Sequence, residues 1–170
     1  MITIPRSRLQ IWPGFCLDIS DDIHFHCPGS YYLKGNNGSG KSSFINRVLL
    51  PAIKDRNDLH LIVLQQQMHM QLYAMRAWAA MHYPERRVAD ESDVWDLLCY
   101  DLASLKDDKA LVVIADEARN LIIPEGLKRP VCLIYSSHDH KYESHHILEF
   151  RPTSAYESEL TSAGDKPCAD

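Results

Sequence analysis

The sequence predicts an α/β fold built on a mainly parallel central sheet. Three observations carry that prediction. Continuous apolar runs at 59–64, 111–115 and 131–135 read as strands buried on both faces. Segments 65–82 and 92–105 place apolar residues at helical spacing between those runs. A glycine-rich stretch, Gly35 to Ser42, follows one strand candidate and opens another helix candidate. Strands alternating with helices form a parallel sheet, and ligands then bind at the carboxyl ends of its strands.

In chain order, 9–11 is a short apolar segment and 19–25 alternates in part, which predicts a strand pair. Tyr31-Tyr32-Leu33 reads as a strand running straight into the glycine-rich loop. Phe44, Ile45, Val48 and Leu49 give 42–50 a helical spacing that stops at Pro51. In 65–82, Met68, Leu72, Met75 and Ala79 share one side, and Pro84 ends the pattern. Segment 92–105 starts with Ser92 as cap and Asp93 in the first turn. A last strand is expected at 147–150. Residues 1–151 read as one domain, and the polar stretch 152–170 as a disordered tail.

Composition narrows the function classes. A chain of 170 residues, 45% apolar, can bury one core. Its net charge of −5 gives no nucleic-acid signal, because binding a phosphate backbone needs a basic face. Cysteines 16, 27, 99, 132 and 168 show no CxxC spacing, so neither a disulfide framework nor a zinc site is expected. No apolar run is long enough to span a bilayer. The expected location is cytoplasmic, with any contact at the inner face of a membrane made through a partner.

The stretch Gly35-Asn36-Asn37-Gly38-Ser39-Gly40-Lys41-Ser42, with Ser43 after it, fits G-x-x-x-x-G-K-[ST] at every fixed position. Glycines let the backbone wrap closely around phosphates and turn its N–H groups inward. A helix N-terminus adds the positive end of its dipole. Lys41 is expected to reach the β- and γ-phosphates of ATP, and the Ser42 hydroxyl to bind Mg²⁺. Downstream, the apolar run 111–115 ends in Asp116-Glu117. Asp116 is then a Mg²⁺ ligand, since hard cations prefer oxygen donors, and Glu117 the group that polarises the attacking water.

These motifs resemble those of the ABC ATPases. The resemblance implies a three-layer P-loop NTPase fold and covers roughly residues 9 to 150. Under it, His138 in Ser136-Ser137-His138-Asp139 corresponds to the switch histidine on the γ-phosphate. Gln65 corresponds to the Q-loop glutamine near Mg²⁺ and water, and Trp12 to the aromatic that stacks on adenine, with Phe15 as runner-up. His145 to Phe150 resembles the strand that closes the family's sheet.

There are departures as well. The interval from Lys41 to Gln65 is too short for the family's antiparallel β-subdomain, which is expected to be reduced or absent. Glu91-Ser92-Asp93-Val94-Trp95 stands where the Leu-Ser-Gly-Gly-Gln signature belongs, and Ala118-Arg119-Asn120-Leu121 follows the acidic pair without the usual D-loop, so that hydrolysis is slow, a partner supplies the missing groups, or Arg119 substitutes for them. The resemblance implies ATP hydrolysis coupled to a partner protein: a membrane permease, a second ATPase subunit in a homo- or heterodimer, or another complex. The alternative is an ATP-binding regulatory subunit with little turnover. The Met-rich stretch 65–83 is where such a partner would dock.

Overall fold

A computed structural model describes residues 1–64, 68–117, 129–137 and 146–163. Strands β1 (Ile2–Ile4) and β4 (Ile23–Phe25) form a small antiparallel sheet, and alternation turns Ile2, Ile4, Ile23 and Phe25 into the core. The main sheet has eight strands in the order β2 (Ser7–Trp12), β3 (Phe15–Ile19), β10 (Glu157–Ala163), β9 (His146–Ser154), β5 (Gly29–Lys34), β8 (Val131–Tyr135), β7 (Ala110–Ala115) and β6 (Leu59–Leu64). Neighbours run parallel except β2 with β3 and β9 with β10. The fold is therefore α/β with a mainly parallel, mixed sheet.

Alternation along β7 and β8 builds two cores. Val112, Ile114, Cys132 and Ile134 face Phe44, Ile45, Leu49 and Ile53 on one side. Leu111, Val113, Ala115, Leu133 and Tyr135 face Cys99 and Leu102 on the other. Both faces of these strands are covered, which is why their sequences read as unbroken apolar runs.

The helical segment after the glycine-rich loop is longer than its sequence suggests. It passes from α1 (Lys41–Phe44) through a π-turn (Ile45–Leu49) into α2 (Leu50–Ile53). Pro51 does not stop it. Proline cannot donate to the residue four back, and the widened turn absorbs the missing bond while Pro51 sits in the first turn of α2. No strand lies between α2 and β6.

Helix α3 (Met68–His82) packs Leu72, Met75 and Trp78 around Ala79, against Val88 and Leu97 of the α4 side. Part of the Met-rich face is thus core, while Tyr73 and Met81 are exposed. Helix α4 (Glu91–Ser104) is capped by Asp90 rather than Ser92. Asp90 Oδ1 accepts the Asp93 N–H at 3.1 Å, and Asp93 Oδ2 accepts the Asp90 N–H at 3.3 Å and the Ala89 N–H at 2.7 Å. This is a reciprocal capping box.

The tail expected from residue 152 is corrected through residue 163. Strand β9 runs on to Ser154, and β10 lies between β9 and β3, with Ser158 and Leu160 buried. Burial alternates along β10, but Leu160 is its only large apolar residue and Ser158 shares the buried face, so no apolar period marked the strand among serines and glutamates.

Candidate functional site

The carboxyl ends of β5, β6, β7 and β8 lie along one edge of the sheet, because these strands are parallel. Residues 35–40 leave β5 there. Gly38 (φ 77°) and Gly40 (φ 99°) occupy left-handed backbone that only glycine adopts at no steric cost. The Ser39 N–H donates to Asn36 O at 3.2 Å, and the Phe44 N–H to Gly40 O at 2.8 Å, closing the first helical turn. A first helical turn leaves its N–H groups without upstream helical partners, and here they belong to the loop's last residues.

Ser39 and Gly40 are buried, Gly35, Lys41 and Ser43 half-buried, and Asn36, Asn37, Gly38 and Ser42 exposed. The loop folds tightly on itself at Gly35, where a Cβ would stand 2.5 Å from Ser39 Oγ. That buried hydroxyl makes no hydrogen bond among the described residues. Lys41 Nζ donates to Gly35 O at 2.6 Å and Asn36 O at 2.9 Å, which holds the ammonium over the loop. Burial pushes the Lys41 ammonium below the ordinary lysine value, while the charges of Asp116 and Glu117 pull it back up. The acidic pair is therefore within electrostatic reach of the loop lysine.

Asp116 and Glu117 are half-buried and follow β7 directly. The Asp116 N–H donates to Leu64 O at 2.9 Å, and the Ser136 N–H to Ala115 O at 2.9 Å. Ser136 Oγ donates to Asp116 Oδ1 at 2.8 Å and accepts the Glu117 N–H at 2.8 Å. At the other end of the loop, Phe15 lies beneath Gly40, whose Cβ, if built, would stand 3.0 Å from the Phe15 ring. Trp12 stacks on Phe15 with ring centres 4.8 Å apart and planes 19° from parallel. Phe15 is 7% exposed and Trp12 48%, so Trp12 is the ring with surface open to a ligand.

No protein-family model and no curated protein matches this chain. Among solved structures it is similar to a chain from a structural model of ribosome-bound archaeal Pelota and ABCE1, at a TM-score of 0.55 and 13% identity. The match covers 95% of this chain and 34% of that one, so the chain spans about a third of the length of its structural neighbour. At that identity the likeness concerns the fold alone.

Of the residues expected at the site, the structure groups Lys41, Asp116 and Glu117, and seats Trp12 over Phe15 beside Gly40. Gln65 and His138 lie outside the described residues, as does Arg119. Sequence reasoning missed Ser136, which stood out only as a neighbour of His138. Its signal was a serine directly after a buried apolar run, a position where a hydroxyl meets the end of the adjacent strand. Among the described residues no group of three or more His, Cys, Asp or Glu comes together. The oxygen donors near the loop are hydroxyl and carboxylate, a set that suits a hard cation sharing its shell with phosphate oxygens and water. No helix among the described residues is long and apolar enough to cross a membrane.

Proposed function

We propose that this chain binds ATP with Mg²⁺ on residues 35–43 and hydrolyses it, as a compact ABC-type ATPase of P-loop NTPase fold. The observation that carries this reading is the meeting of the glycine-rich loop with the Asp116–Glu117 pair at one sheet edge. Strand β8 stands between β5 and β7, so the acidic pair faces the loop across one strand's width. The charges of Asp116 and Glu117 act on Lys41 across that width.

In this reading the loop amides and Lys41 neutralise the triphosphate, with Lys41 exchanging its bonds to Gly35 O and Asn36 O for phosphate oxygens. Ser42 and Asp116 hold Mg²⁺, which when bound spreads the charge developing on the β- and γ-oxygens. Glu117 orients a water and takes its proton as the water oxygen bonds to the γ-phosphorus and the bond to the β,γ-bridging oxygen breaks. Trp12 stacks on the adenine. Gln65 and His138 are assigned to water and γ-phosphate by resemblance.

A partner completes the cycle, because the chain lacks the signature that serves the second half of the family's shared site. The candidates are a permease at the inner face of the membrane, a second ATPase subunit, or another cytoplasmic complex. A second reading, an ATP-binding regulator with little turnover, draws on Asp93. Its carboxylate is engaged in the α4 cap at the place where a glycine-rich signature would offer backbone amides.

Calorimetry with ATP and Mg²⁺ tests the binding. Lys41→Ala is expected to weaken it by ~3–4 kcal/mol, and no heat with folded wild-type protein overturns the reading. Steady-state phosphate release separates the two versions. Glu117→Gln is expected to lower the rate by ~10²-fold or more, whereas equal rates favour the regulator.

A further inference from the structure

Ser136 is fully buried at the end of β8, and its hydroxyl has two partners. It donates its one proton to Asp116 Oδ1 and accepts the backbone N–H of Glu117, both at 2.8 Å. Its own N–H is tied to Ala115 O at 2.9 Å, so the side chain is held by the β7–β8 ladder and not by a loop. Glu117 stands at φ 58°, a left-handed conformation that a non-glycine residue keeps only where its surroundings impose it. The hydroxyl grips the backbone at the strained residue and the carboxylate just before it.

We propose that Ser136 is a positioning residue for the metal and water side of the site, a role that rests on the ATP–Mg²⁺ reading above. One bond fixes the rotamer of the Asp116 carboxylate and so the direction in which it offers an oxygen to the cation. The other fixes the Glu117 peptide and so the line along which its carboxylate approaches the water. A single rigid group thereby sets the metal ligand and the base in register. Partners that orient metal ligands in this way govern affinity or activity by roughly 10–100-fold. A methyl in place of the hydroxyl leaves the phosphate loop untouched, since no contact joins Ser136 to residues 35–43 through these bonds. It leaves Asp116 free to rotate and the Glu117 N–H without this acceptor.

The test compares ATP affinity by calorimetry in Mg²⁺ and in EDTA, for purified full chain. For Ser136→Ala the affinity in EDTA is expected to equal wild type, which also reports an intact loop and fold. The gain conferred by Mg²⁺ is expected to shrink by roughly 10-fold or more. Ser136→Thr keeps the hydroxyl and is expected to restore the gain. In an Asp116→Ala background, removing the Ser136 hydroxyl is expected to change the Mg²⁺ gain no further, which a merely structural serine would not predict. If Ser136→Ala does not fold, Ser136→Cys, a weaker donor of similar size, is expected to lose part of the gain. A full Mg²⁺ gain in Ser136→Ala or Ser136→Cys, or a loss undiminished without Asp116, overturns the role of Ser136 alone. A wild type whose ATP affinity is indifferent to Mg²⁺ overturns the assignment of Asp116, and the present inference with it.

Discussion

The ring of Phe15 lies directly under Gly40, so close that a Cβ on that glycine would stand 3.0 Å from Cζ and 3.2 Å from Cε1. The loop's second left-handed glycine differs: nothing lies within 4 Å of a Cβ built at Gly38. Both positions carry the backbone cost of a left-handed residue, but only Gly40 adds a steric one. Gly38→Ala is expected to lose ~1–2 kcal/mol, and Gly40→Ala ~2–4 kcal/mol once overpacking against Phe15 is included. Urea denaturation of the two variants checks this. Equal losses would mean that the Phe15 ring moves aside freely.

Trp12 presents the outer face of a two-ring stack, with Phe15 as its fixed base. A base laid on that face gains the stacking energy without ordering the tryptophan anew. Trp12→Ala is expected to weaken ATP by ~1–3 kcal/mol, Trp12→Tyr to keep most of the affinity, and Phe15→Ala to act both on stability and on binding. Quenching of tryptophan fluorescence on titration with ATP, absent in Trp12→Tyr, reads the contact directly. Unchanged affinity in Trp12→Ala would remove this ring from the site.

Lys41 predicts opposite pH trends for stability and for binding. Burial lowers its proton affinity in the folded chain below the ordinary 10.5, against the pull of Asp116 and Glu117. Between the lowered value and 10.5 the unfolded chain binds more protons at this site, so its contribution to stability rises with pH across that window. ATP prefers the charged ammonium, so affinity is full below the lowered value and declines as pH rises through it. Calorimetry across the alkaline range is expected to show that decline in wild type. Lys41→Arg, whose guanidinium stays charged beyond about pH 12, is expected to lack it. A decline of the same shape in Lys41→Arg would place its origin elsewhere.

Strand β10 holds the β2–β3 hairpin to the rest of the main sheet, because it is the only bridge between β3 and β9 among the described strands. Leu160 is fully buried there, packed in the core that contains Leu17, Ile19 and Phe150. Leu160→Ala is expected to destabilise the chain by ~2–5 kcal/mol. A chain ended after residue 155 is expected to lose the seat of Trp12 and Phe15, read as loss of the ATP-induced fluorescence change. A truncated chain with unaltered stability and quenching would show that the hairpin docks without β10.

Legibility in the sequence followed the kind of physics each element relied on. Strands β7 and β8 were readable because burial on both faces writes a continuous apolar run, and the edge strand β6 because Leu61 to Leu64 are apolar despite His60 before them. The loop 35–42 was readable because left-handed backbone at Gly38 and Gly40 and the tight fold at Gly35 demand glycine at fixed positions. The reach of the helix past Pro51 was not readable, since a π-turn spreads the missing hydrogen bond over neighbours that carry no mark of it. The cap of α4 was misplaced by two residues because Asp90 and Ser92 are equally good caps locally, and only the Asp90–Asp93 pairing decides between them.

From its residues alone the chain specified an alternating α/β order, a glycine-rich turn between strand and helix, and an acidic pair at a strand end. Those are properties of segments, set by period and by local backbone demand. The tertiary structure decided the rest. Parallel pairing brought Lys41 near Asp116 and Glu117. Strand β10 joined the sheet because one of its faces is covered by residues far away in sequence. Ser136 gained its role from the end of β7, which lies 19 and 20 residues away along the chain. Such contacts leave no periodic trace, because they depend on which strands become neighbours and not on what any one strand contains.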